Sequence, residues 1–123
     1  MKVKEGPISK WKSGVKKKTL AGRSFYGSAA ATATFSDERG VAERTITFSE
    51  PDAAANVVVV DVIDMGMGFS MNPIANFDVA IQILSYSDGV VTCKVTVRVE
   101  STNTGSTVNW DGRVRVRGMF FGP

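Results

Sequence analysis

Val91-Thr92-Cys93-Lys94-Val95-Thr96-Val97-Arg98-Val99 alternates apolar and polar residues without a break. Successive side chains of a pleated strand point to opposite faces. Val91, Cys93, Val95, Val97 and Val99 therefore share one face, and Thr92, Lys94, Thr96 and Arg98 share the other. One dry face and one wet face is the pattern of an antiparallel sheet that covers a single core. Just before this run, Ser87-Asp88-Gly89 is a turn signal. Ahead of the turn, Phe77, Val79, Ile81 and Ile83 form a second apolar row, so the two runs read as a hairpin.

Working outward, four more β-type segments appear: Ala30–Phe35, Val41–Phe48, Asn56–Ile63 and Arg113–Phe121. Turn-forming clusters separate them, among them Ser36-Asp37-Glu38-Arg39-Gly40. Apolar residues nowhere recur at the i, i+3, i+4, i+7 spacing of an amphipathic helix. The expectation is an all-β fold, a six-stranded antiparallel β-sandwich over residues 24–123 with an extended basic arm at residues 1–23. Val57-Val58-Val59-Val60 is apolar on both faces. Its outer side is expected to be covered either by a partner or by the arm or a loop. Met65-Gly66-Met67-Gly68-Phe69-Ser70-Met71-Asn72-Pro73 reads as a flexible apolar ribbon, suited to a subunit interface or to a lid over the core.

The charge distribution supports the division into arm and body. The arm holds eight bases and one acid, whereas the body holds seven bases and eleven acids. Lys10, Lys12, Lys16, Lys17 and Lys18 give the arm a means of gripping a neighbouring subunit or the phosphates of nucleic acid. No apolar run approaches the roughly 18 residues of a membrane span, and no apolar segment follows the N-terminal lysines as in a secretory signal. One cysteine, Cys93, cannot form an internal disulfide, and its parity puts it among core valines.

The chain contains no histidine, the commonest general base and zinc ligand. The carboxylate pairs Asp61/Asp64 and Asp37/Glu38 read as solvated acids: strand parity sends the first pair to opposite faces and the second sits in a turn. No catalytic residues, metal site or cofactor are expected. Arg113, Arg115 and Arg117 alternate with Val114, Val116 and Gly118. Three guanidinium groups thus line one face about 6.6 Å apart. They suit phosphate, acidic sugars or the acids of a neighbouring subunit, or else cross-strand Asp or Glu on a solvated face. Asn109-Trp110-Asp111 just before them suits a sugar, with the indole stacking on the ring and Asn109 and Asp111 bonding its hydroxyls. The alternative is an indole that caps the end of the core.

Over residues 40–122 the body resembles the H-type lectin domain of invertebrate agglutinins and phage tail proteins. The resemblance lies in Arg44-Thr45-Ile46-Thr47-Phe48-Ser49-Glu50-Pro51, Asn56-Val57-Val58-Val59, the strand ending at Val99, and Arg113-Val114-Arg115-Val116-Arg117-Gly118-Met119-Phe120-Phe121-Gly122. It implies a six-stranded antiparallel sandwich, a trimer and sugar binding. The chain departs from that family in having Arg117 or Gly118 near the place of a tryptophan usual in the last strand, and no sugar-site histidine. The expectation is a non-enzymatic, virion-located structural or receptor-binding module. It is similar to a tail-fibre or lectin-like domain, homotrimeric, docked to other virion proteins, and does not bind membrane. The alternative is a small capsid or head-decoration protein whose arm contacts a neighbour or packaged nucleic acid.

Overall fold

The computed structural model describes residues 2–3, 9–11, 22–69, 74–101 and 109–123. Among them the regular structure is entirely β: β1 (Lys2–Val3), β2 (Ser9–Trp11), β3 (Ser24–Arg39), β4 (Val41–Ser49), β5 (Val57–Phe69), β6 (Ile74–Ser87), β7 (Val90–Ser101) and β8 (Asn109–Gly122). The six long strands form two three-stranded antiparallel sheets, β6-β7-β4 and β5-β8-β3, here called A and B. The arm adds a short strand to each: β1 lies parallel to β6, and β2 lies antiparallel to β5 at Val57–Val59. No described helix is long and apolar enough to cross a membrane.

Strand β7 is the middle of sheet A, and its apolar row lies wholly inside, from Val91 to Val99. Ala42, Ile46 and Phe48 of β4 stand beside that row on one flank, and Val79, Ile81 and Ile83 of β6 on the other. The β6–β7 turn has two residues, Asp88 and Gly89, both at positive φ (53° and 77°). That is the type I′ geometry whose twist matches antiparallel strands, and Asp-Gly is well suited to it.

Sheet B supplies the opposing wall through Trp110, Val114, Val116 and Phe120 of β8, Val58 and Val60 of β5, and Ala33 and Phe35 of β3. Large side chains of one sheet meet small ones of the other. A Cβ on Gly118 would stand 3.0 Å from the Phe48 ring, so the missing side chain is the space that ring fills. At one end the Gly40 carbonyl accepts from the Val99 amide of sheet A (3.0 Å) and from the Trp110 indole of sheet B (3.1 Å), joining the two layers.

Arg44 has inward parity on β4, opposite Val95, yet it does not enter the core. It lies along the seam with β3: its Nε donates to the Thr34 carbonyl (3.0 Å), and its Nη2 pairs with Glu38. The guanidinium rests 4.9 Å from the Phe35 ring centre, a cation–π contact. Glu38 is thus an ion-pair partner and not the solvated turn acid expected. Its segment is also no simple turn, because β3 continues to Arg39 through a bulge between Phe35 and Glu38, and only Gly40 turns the chain.

Two further expectations change. The ribbon at 65–69 is strand, with Met65 and Met67 packed against the core, while residues 70–73 lie outside the described residues. Val57 is fully buried but belongs to the outer face of sheet B, aligned with Phe121, so its cover comes from the chain itself. Of the arm lysines, Lys10 falls within β2, and Lys12, Lys16, Lys17 and Lys18 lie outside the described residues.

Burial pushes the Cys93 thiol up from 9.0 to about 12. Burial, then the hydrogen bond to Glu50, raises the Tyr86 hydroxyl as well. Both groups hold their protons longer when folded, so stability is intact below the unfolded thiol's value and falls as pH rises from about 9 toward 12. The thiol alone contributes a loss of up to about 1.4 kcal/mol per pH unit across that window. Urea midpoints measured from pH 8 to 11 are expected to fall less steeply for Cys93→Ala than for the wild type.

Candidate functional site

Strand β8 is the middle of sheet B and keeps strict alternation along its whole length. Trp110, Val114, Val116, Gly118, Phe120 and Gly122 are buried, while Asn109, Asp111, Arg113, Arg115 and Arg117 take the outward parity. Five of the six residues singled out as ligand-binding therefore form one continuous row on the outside of the sheet. The sixth, Trp110, does not join them. It is 2% exposed, packs on Phe35 with ring centres 5.1 Å apart, and spends its indole N–H on Gly40. An aromatic this size gains more from burial than from a solvent-facing position, and the strand's parity gives it no choice.

The arginines are flanked by strands of different character. On β5, Asp61 pairs in register with Arg117, Asp64 with Arg115 and Gly66 with Arg113. On β3 the partners are Ala30, Thr32 and Thr34. The two aspartates share the outer face because a bulge between Val62 and Asp64 inserts one residue into β5. Parity counted without that bulge sends them to opposite faces, and the structure corrects that expectation. An extra residue in one strand shifts the phase of everything after it.

The carboxylates are not shared evenly. Asp61 Oδ2 lies 3.6 Å from Arg117 Nη2, and Asp64 Oδ2 reaches diagonally to Arg113 Nη2, also at 3.6 Å. Arg115, between them, makes no ion pair among the described residues. The Arg113 and Asp64 side chains are more than half exposed, so their pairing adds about 0–1 kcal/mol and serves chiefly to orient the guanidinium.

Toward the Asn109 end the row runs into a shallow groove. Two adjoining depressions of about 520 and 300 Å³ share Gly68 and Asp111. Gly66 and Gly68 keep the floor low: a Cβ on Gly66 would come within 2.7 Å of Arg113 Nη1. Asp111 Oδ1 accepts from the Asp37 amide (2.6 Å), which fixes the β3 bulge against the groove. Asp37 takes a positive φ of 53° there. Phe69, 42% exposed, lines the groove and stands edge-on to Phe77, ring centres 5.8 Å apart. It pairs in register with Trp110 and so shares the inward parity of Met65 and Met67, turning its ring toward sheet A and not toward the polar row.

No group of three or more metal-ligating acids or cysteines occurs among the described residues. The ordered chemistry of the row is thus guanidinium, carboxylate and amide. Set against protein-family models, curated proteins and solved structures, the chain matches none of them.

The two sides of β8 respond differently to truncation. Trp110→Ala is expected to cost about 3–5 kcal/mol, as removal of a buried aromatic does. Arg115→Ala is expected to change stability by no more than about 0.5 kcal/mol, as exposed substitutions do. Urea denaturation of both variants beside the wild type checks this. Equal losses would mean the arginine row is part of the packing.

Proposed function

We propose that the protein is a non-enzymatic, virion-type receptor-binding module, lectin-like in its use of a sheet face, that acts as an oligomer. The observation that carries this is the unbroken outward row Asn109, Asp111, Arg113, Arg115 and Arg117 on a central strand, leading into an open groove. A central strand gives a rigid platform, because its backbone is bonded on both sides. Polar groups held at fixed spacing beside an open groove suit a carbohydrate, whose hydroxyls bond to amides and carboxylates.

A second reading, a capsid or head-decoration protein, draws on a separate observation. The arm segments β1 and β2 each add a strand to a sheet edge. Strand addition is a contact that an arm makes equally well with its own body or with a neighbour's. Under this reading the lysines beyond β2 meet acidic surfaces of a neighbouring subunit or packaged nucleic acid.

A glycan array and light scattering of the full chain separate the two. The receptor-binding reading expects glycan signal that falls at least about tenfold in Asn109→Ala and in Asp111→Asn, on an oligomer, a trimer, that persists without residues 1–23. The decoration reading expects no glycan signal and an oligomer that dissociates when residues 1–23 are removed. A monomeric chain without glycan signal would discard both.

A further inference from the structure

We propose that Arg115 is the anchor for the carboxylate of an acidic sugar, with the rest of the oligosaccharide running along β8 into the groove at Asp111. This rests on reading the outer face of sheet B as the ligand face. The asymmetry of the arginine row carries it. Three guanidinium groups face two carboxylates, and both carboxylates are committed to the outer pair, Asp61 to Arg117 and Asp64 to Arg113. Arg115 is exposed and has neither carboxylate. Its neighbours at about 6.6 Å on either side are arginines, which raise the local potential without competing for the site.

The geometry favours a single carboxylate over a polyanion. Over the register positions of Arg113, Arg115 and Arg117 the charge is one excess cation, and Asp61 and Asp64 stand beside the row to repel phosphates that would track along it. A planar carboxylate accepts two parallel hydrogen bonds from one guanidinium fork. Thr32 of β3 pairs in register with Arg115 on the side away from Asp64, and its exposed hydroxyl adds a further donor. Four residues along the strand, about 13 Å away, Asp111 begins the groove with Asn109 beside it. That separation requires a ligand longer than one ring, acidic at one end and neutral at the other.

The test is binding of sialyllactose and a glucuronate-terminated trisaccharide, each against its carboxyl-reduced or neutral counterpart, by calorimetry on the full chain. The acidic forms are expected to bind about ten- to a hundredfold more tightly, the range of a charge-assisted hydrogen-bond pair. That preference should vanish in Arg115→Ala. Arg115→Lys should recover only part of it, because an ammonium lacks the fork. Retained far-ultraviolet dichroism in both variants separates loss of binding from loss of fold. Neutral sugars that bind as tightly as acidic ones, with loss in Asp111→Asn but none in Arg115→Ala, would overturn the carboxylate anchor and leave the sugar-binding reading standing. A Lys variant equal to wild type would overturn the fork. No binding by any sugar to a folded chain would end both.

Discussion

Strand β8 is the constraint on which the rest of the molecule depends. It is hydrogen-bonded on both sides, and its fourteen residues alternate between core and solvent without an irregularity of their own. The valines, Trp110 and Phe120 that close the core are thereby tied to the polar row that forms the candidate site. A slip of one residue would turn Arg113, Arg115 and Arg117 into the core and expose Trp110 and Phe120. Burying even one unpaired guanidinium costs several kcal/mol, a large share of a domain's net stability. The register of the core and the order of the outward polar row are one requirement.

Irregularity is confined to the neighbours, and there it sets the surface. The β5 bulge brings Asp61 and Asp64 to the same side, where they hold two of the three arginines. The β3 bulge carries Asp37 to Asp111 and Glu38 to Arg44. A bulge re-aims side chains while leaving the partner strand straight, so both flanking strands adapt to β8 without disturbing it. Gly40 completes the arrangement, its single carbonyl bonded from each sheet.

Much of this was legible in the chain itself. The run at 91–99, the Asp88-Gly89 turn and the absence of helical spacing give the two central ideas, antiparallel pairing and one core. Cys93 and the parity of Arg113, Arg115 and Arg117 follow from the same period of two. The strands are longer than their local patterns imply, since residues 27–29 and 66–68 are poor strand formers held in place by β8. What escaped the sequence reading all lies beyond strict alternation. The bulge after Val62 has no local marker, so Asp61 and Asp64 separate on paper and meet in space. Arg44 sits at a core parity unsuited to a charge, and the neighbouring strand's carbonyl and Glu38 explain it. Trp110 beside Asn109 and Asp111 resembles a surface motif because the strand that buries it begins one residue earlier.

Arg44 has a further consequence for the open flank of the sandwich. The seam of β3 and β4 is the flank to which neither β1 nor β2 adds a strand. There a guanidinium is turned inward, and one of the carbonyls that an incoming strand would seek, that of Thr34, is already taken. A strand arriving along that seam would have to displace the Glu38 pair and desolvate the charge behind it. Growth by adding one sheet to the next therefore has a stop built into one flank.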